Sequence, residues 1–313
     1  MSSLLSSPTE ILMDIINHLN GQKMLAALSR TCKRLRPLAL RCLYFKLSPR
    51  TLRPWLLART LVTCTHLAKL VVSLNLNELP ESVVDYIPRE IDDYYRQKMK
   101  EGHKDWRYGL LASGHCLKSW PPHDVTTRLC SNLQFLDCDD NTSGTDYFWA
   151  LNSLLKLREL VFTRRFHSPE GDFLRDNAAA LLRAAPNLEK IQFRGFRGVG
   201  RLDIVLEKLK TVHFQNGRLG AMDLSEFLST CPHLEELVYY CDSPPEYWSE
   251  HKNFGLREAT DVILGHGDLK KLRYVYLDFA GLRNWKGTYV QGEPVQEARK
   301  RFADRGILLG LCM

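Results

Sequence analysis

The nine cysteines and ten histidines of this 313-residue chain are where metal binding, redox or nucleophilic chemistry would first be sought. Their spacing assigns none of these tasks. No Cys-x-x-Cys occurs, no His/Cys cluster has zinc spacing, and no secretory context favours disulfides. Cys64, Cys130 and Cys231 each stand three residues before a leucine that opens a short apolar run, in a slot filled elsewhere by Leu154, Ala185, Leu206 and Leu269. That slot takes small or apolar packing residues, so these cysteines, with Cys138 at a strand position, are expected in the core as free thiols. His66 and His233 share the next slot but one with Asn132, Lys156, Asn187, Lys208 and Lys271, which marks it as exposed rather than ligating. The chain has no P-loop, no His-Glu-x-x-His and no Gly-x-Ser-x-Gly, and Gly265–Lys271 precedes a strand, the wrong place for a phosphate loop. The expectation is a non-catalytic protein with no cofactor and no metal.

The remaining chemistry is recognition. Thr163-Arg164-Arg165-Phe166 and Arg194-Gly195-Phe196-Arg197 end two neighbouring runs. If those runs are adjacent strands, Arg164, Arg165, Arg194 and Arg197 gather along one rim, where guanidinium forks suit a phosphate or carboxylate of a protein target. His213, Tyr240, Tyr274 and Tyr276 complete the expected target-binding set, the tyrosines as aromatic anchors. The alternative for the tyrosines is that a C-terminal tail, Gly306–Leu311, covers them.

The elements that must carry these residues come from a repeat. Seven segments read Leu-x-x-apolar-x-apolar, led by Leu67, Leu133, Leu157, Leu188, Leu209, Leu234 and Leu272. Positions three and five after each leader are apolar or aromatic throughout, the alternation of a half-buried strand. Positions two, four and six should then face outward; they include Val71, Asp137, Val161, Gln192, His213, Tyr240 and Asp278. Helical patterns precede several strands, at 146–155, 172–185, 223–231 and 256–265. Strand and helix alternating in this way resemble an irregular leucine-rich-repeat solenoid, with a parallel inner sheet and outer helices. Leader separations of 66, 24, 31, 21, 25 and 38 depart from a regular unit, and the asparagine that follows the strand in such repeats is missing from most units. Helix–strand pairs of another α/β fold therefore stay open. The first gap hides an insertion at about 79–127, with a helix expected near 88–100.

Charge is distributed unevenly. Residues 1–60 hold ten Lys/Arg against Glu10 and Asp14, giving +8, so the remaining residues sum to −1 of the total +7. No apolar run approaches a membrane span, and the N-terminus lacks the basic region of a secretory signal. A soluble cytoplasmic or nuclear protein is expected, with no membrane partner.

Residues 7–47 pack three short amphipathic helices into a segment too small for much of a core. Pro8-Thr9-Glu10-Ile11-Leu12, Ile15-Ile16 and Leu19 are followed by Leu25, Leu28-Ser29-Arg30-Thr31-Cys32-Lys33-Arg34-Leu35 and Leu43-Tyr44. This pattern resembles an F-box, particularly its fungal form. Ser7 departs from it, standing where the family has Leu, and Leu4 or Leu5 could substitute. The resemblance implies a three-helix F-box over 1–48, with a leucine-rich-repeat-like domain over 49–313. It also implies a Skp-family adaptor as partner, bound through Pro8, Ile11, Leu12, Ile15, Leu19, Leu25, Leu28, Lys33 and Leu35, and through the adaptor a cullin. The basic residues among the apolar ones would steer association with an acidic adaptor rather than with nucleic acid, which is not expected as a partner. The function implied is substrate recognition in a Skp–cullin–F-box ubiquitin ligase; the alternative is an F-box scaffold acting outside any ligase.

Overall fold

The computed structural model describes residues 6–19, 21–47, 54–75, 93, 97, 129–139, 154–163, 181–195, 202–215, 220–241, 255–279 and 293–311. The chain forms two compact units, Met1–Leu136 and Asp137–Met313. The helices and strands of residues 54–75 belong to the first of these units, together with the N-terminal module. The expected insertion at 79–127 lies almost wholly outside the described residues, as do Cys116 and the helical pattern at 146–155.

The first unit opens with α1 (Thr9–Asn17), α2 (Gln22–Leu28) and α3 (Leu35–Phe45). Pro8 precedes the first turn of α1 with φ −53°, and its carbonyl accepts the Leu12 N–H at 3.1 Å. Pro37 sits inside the first turn of α3, where a missing N–H removes no intrahelical bond. Leu12, Ile16, Leu25 and Leu35 form a buried cluster, with Leu19, Leu28, Cys32, Leu38, Cys42 and Leu43 packed around it. The module thus closes a small core of its own. Arg34 Nη2 donates to the Ser7 carbonyl at 2.6 Å, tying the residue before α3 to the chain entering α1. After α3, β1 (Lys46–Leu47) pairs in parallel with β2 (Ser73–Asn75), and α4 (Pro54–Thr63) and α5 (Thr65–Ala68) make the crossover.

Here the repeat register differs from the sequence reading. Leu67 does not lead a strand; it lies inside α5. Val71 takes the leading position, Leu74 follows three residues later, and both are buried. Ala68 fills the packing slot assigned to Cys64, which is only half-buried. The four-residue helix α5 consumes one extra turn, so every assignment in this first repeat moves along by four, and Val71 is buried. β3 (Phe135–Asp139) follows buried Cys130 and Leu133 and ends the described part of this region.

In the second unit β4 (Glu159–Thr163), β5 (Lys190–Arg194), β6 (Thr211–Gln215), β7 (Glu236–Cys241), β8 (Tyr274–Phe279) and β9 (Leu308–Gly310) pair in parallel in sequence order. The leaders Leu157, Leu188, Leu209, Leu234 and Leu272 are buried, as are the positions three and five after each. The ladder is reinforced between turns, where Leu154 N–H donates to Ala184 O at 2.6 Å and Leu206 N–H to Thr230 O at 2.7 Å. Phe193 and Phe214 stack at 5.4 Å, and Phe227 meets both edge-on at 5.7 and 5.3 Å. Phe227 comes from α6 (Ala221–Leu228), so these rings lock a helix to the sheet. α7 (Leu256–Gly265) coincides with the helical pattern read from the sequence, and α8 (Glu293–Asp304) follows. The N-termini of α6 and α7 are closed by carboxylates reaching back: Gly220 N–H donates to Asp223 at 3.1 Å and Gly255 N–H to Glu258 at 3.0 Å. Gly306, at φ 70°, reverses the chain after α8, while Ile307 N–H reaches the Phe302 carbonyl at 2.9 Å, and β9 begins.

Three more outward assignments are corrected, Asp137 being buried as well. Val161 and Asp278 are buried despite facing away from the helical side of their strands. The architecture is a helical N-terminal region followed by an α/β region with a parallel sheet.

Candidate functional site

Two surfaces have the composition of a docking site. On α1, adjacent stripes have opposite fates: Leu12 and Ile16 are 1% and 2% exposed, whereas Ile11 and Ile15 are 49% and 41% exposed. Ile11 and Ile15 are one helical turn apart, so they form one ridge, and exposed Pro8 precedes it by one turn. Met24 is also about half exposed, and its Cε lies within 3.3 Å of where a Gly21 Cβ would stand, which places it over the α1–α2 turn. Phe45 is a further exposed apolar residue at the end of α3. Of the sequence-derived adaptor set, Leu12, Leu25 and Leu35 belong to the module's own core, and Leu19 and Leu28 are half-buried against it. The expectation that Leu12 and Leu25 lie uncovered is corrected: both are used internally. Met24 and Phe45 were missed. The available signal was that Met24 falls off the Leu25–Leu28 face of α2.

Lys33 is exposed, together with Lys23, Arg30, Arg34, Arg36 and Arg41. The ridge stands on a helix that carries exposed Glu10 and Asp14, and the exposed cations belong to the segment from α2 to α3. Burying one such isoleucine in a partner is worth about 1.5–3 kcal/mol, enough for two of them to dominate a small interface.

The second surface is the outward face of β4–β8. Thr163, Arg194, Gln215, Tyr240 and Asp278 lie side by side in register, as do Val161, Gln192, His213, Val238 and Tyr276. Strand adjacency therefore meets the requirement for grouping the arginines, but Arg164, Arg165 and Arg197 lie outside the described residues. Arg194 turns along its own strand, with Nη2 3.3 Å from Gln192 Oε1, and Gln192 Nε2 donates to Gln215 Oε1 at 2.9 Å. His213 Nε2 is 3.8 Å from Glu236 Oε1, beyond hydrogen-bond reach but close enough for charge attraction when protonated. Burial lowers the His213 pKa below the usual imidazole value, and Glu236 offsets part of that shift. Glu159 and Lys190 pair at 2.9 Å. The face is thus mixed, with charges largely matched among themselves.

Tyr274 and Tyr276 are half-buried, and β9 lies beside them: a Cβ on Gly310 would stand 2.5 Å from the Tyr274 hydroxyl and 3.0 Å from Tyr276 Cδ2. The C-terminal strand therefore shields one side of both rings. Tyr240, one strand further in, stands between Gln215 and Asp278.

Groups capable of covalent or metal chemistry are not assembled among the described residues. Burial pushes the Cys130 and Cys231 thiols up to about 12, so they stay protonated. Ser225 Oγ and His266 Nε2 meet at 3.0 Å, joining α6 to the residue after α7, and burial lowers the His266 pKa. No group of three or more His, Cys, Asp or Glu able to hold a metal is found among them, nor any helix long and apolar enough to cross a membrane.

A search of the curated proteins finds no match to the chain. Residues 8–50 match the family model described as F-box-like. That span contains α1, α2, α3, the exposed ridge and most of the basic residues. F-box domains bind Skp-type adaptors and generally serve substrate recognition in Skp–cullin–F-box ubiquitin ligases. The match supports reading the chain as an F-box protein with an α/β region after the module.

Proposed function

We propose that this chain is the substrate-recognition subunit of a Skp–cullin–F-box ubiquitin ligase. The supporting observation is the Ile11–Ile15 ridge, left uncovered on a module whose core is already complete. Pro8, Ile11, Ile15 and Met24 would meet the adaptor directly, with Leu19 and Leu28 at the margin and Lys33 among the steering cations. Leu12, Leu25 and Leu35 would act by holding the ridge in shape. The parallel sheet, with a buried leading leucine before each of β3 to β8 and Val71 in that place before β2, supports a leucine-rich-repeat solenoid. Its outward face, through Arg194, His213, Tyr240, Tyr274 and Tyr276, with Arg164, Arg165 and Arg197 at the rim, would hold the target. The chain would perform no bond-making step itself; it would raise the local concentration of target beside the transfer machinery. Buried free thiols at Cys130, Cys138 and Cys231 suit a reducing compartment, the cytosol or nucleus.

The test is co-purification of adaptor and cullin with the full chain carrying Ile11→Glu/Ile15→Glu. Recovery of both should be lost while thermal unfolding stays unchanged. Undiminished adaptor recovery would reject the docking assignment, and adaptor without cullin would indicate a scaffold outside a ligase.

A further inference from the structure

The residues flanking each leading leucine alternate in charge from strand to strand. Before β4 they are Lys156 and Arg158, before β6 Lys208 and Lys210, before β8 Lys271 and Arg273. Before the intervening strands they are Asn187 and Glu189, then His233 and Glu235. The leucine between each pair is buried, so both flanking side chains are turned away from the core. All six cations are exposed, and the four intervening residues are half-buried.

Backbone hydrogen bonds make this a continuous strip. Glu189 N–H donates to Arg158 O at 2.8 Å, Lys210 to Glu189 at 2.8 Å, Glu235 to Lys210 at 2.8 Å and Arg273 to Glu235 at 2.9 Å. Six cations less two carboxylates leave +4 across five strands, with His233 neutral. Residues 61–313 together carry only −1, so the strip is a local concentration of positive charge. Within it Arg158 pairs with Glu189 at 2.7 Å, and Asn187 accepts from Lys208 while donating to Leu155 O at 2.6 Å. These contacts hold Glu189 and Asn187 in place between the cationic pairs, and His233 Nε2 lies 3.7 Å from Glu207 Oε2.

Strands pair about 4.8 Å apart, so the cationic pairs recur every 10 Å or so. An α-helix advances about 10.5 Å in seven residues, so Asp or Glu at seven-residue intervals along one face matches that spacing. A uniform polyanion matches it poorly: duplex phosphates recur much more closely and would fall opposite Glu189 and Glu235.

We propose that this strand-entry rim is a docking strip for a partner protein, bound through a helix with acidic side chains at seven-residue intervals. The strip belongs to the unit Asp137–Met313 and does not depend on the adaptor reading. Its charge pattern sets the register of the helix as well as the attraction.

The experiment uses the full chain and fluorescence anisotropy at about 50 and about 200 mM salt. Three labelled probes are compared: a helical peptide of roughly 21 residues with glutamates at seven-residue intervals, one of the same composition with the glutamates bunched, and duplex DNA. The spaced peptide should bind about tenfold more tightly than the bunched one. Lys208→Glu/Lys210→Glu should cost at least about tenfold, and the milder Lys271→Gln/Arg273→Gln a smaller loss, both with unchanged thermal unfolding. Glu189→Lys/Glu235→Lys should erase the preference between peptides and strengthen DNA binding. Adaptor recovery should be unaffected by all of these changes. Equal binding of the two peptides, tighter binding of DNA by the wild type, or no loss in the lysine and arginine variants would each overturn the proposal.

Discussion

Ile11 and Leu12 are neighbours in sequence with opposite roles. Leu12, 1% exposed, sits in the cluster with Ile16, Leu25 and Leu35. Leu12→Ala should therefore destabilise the N-terminal module by about 2–5 kcal/mol, the cost of a cavity, and lower its urea midpoint. Ile11→Ala should leave that midpoint within the noise while weakening adaptor binding. Equal urea midpoints for the two variants would contradict the assignment of inside and outside. Two histidines should make the second unit sensitive to acid. His213 and His266 have pKa values lowered by burial, so the folded chain resists protons that the unfolded chain accepts near its ordinary value of about 6.5. Stability is full above that pH and falls as pH drops toward the folded values. The urea midpoint should decline between about pH 7 and about pH 5, and a His213→Gln/His266→Gln variant should show a flatter profile. An identical profile in the variant would exclude these residues as the cause.

Among elements, β9 is held by its turn and by its fit to a neighbour. Gly306 at φ 70° sends the chain from α8 back alongside β8, and Gly310 leaves room for the rings of Tyr274 and Tyr276. Gly306→Ala places a side chain in the left-handed region, at a cost of about 1 kcal/mol, and should loosen β9 first. Tyrosine fluorescence and amide exchange of Leu308–Gly310 would report it: faster exchange there than in β6 or β7 is expected, whereas unchanged exchange would show that β9 is held by other contacts. The helices on the opposite side of the sheet follow ordinary capping. Asp223 and Glu258 stand in the first turns of α6 and α7, three residues after Gly220 and Gly255, and that spacing lets them reach back.

For the whole molecule, thiol chemistry tests the environment in which the chain folds. Cys130, Cys138 and Cys231 are free and buried, and Cys32, Cys42 and Cys64 are free and half-buried. Nine thiols, the full count, should titrate under denaturing, non-reducing conditions. In the native protein Cys130 and Cys231 should react last, since burial raises their pKa to about 12. A persistent deficit of two or more after denaturation would point to disulfides and an oxidising compartment. The sequence by itself determined the strands β4–β8, because a leucine followed by alternating apolar positions marks one face for the core; that they pair in parallel was shown by the structure. It determined the length of α7 and the three short helices of the N-terminal module for the same reason, dense apolar spacing bounded by Gly and Pro, whereas the F-box reading of that module rested on resemblance. Only tertiary structure decided which stripe of α1 is covered, since Ile11/Ile15 and Leu12/Ile16 have equal spacing and differ only in what packs against them. It likewise moved the first repeat from Leu67 to Val71, because both satisfy the leading position locally and only the pairing of Ser73–Asn75 with β1 chooses between them. The charge alternation along the strand-entry rim was written in the sequence, but it became a surface only when parallel pairing placed residues more than twenty positions apart side by side.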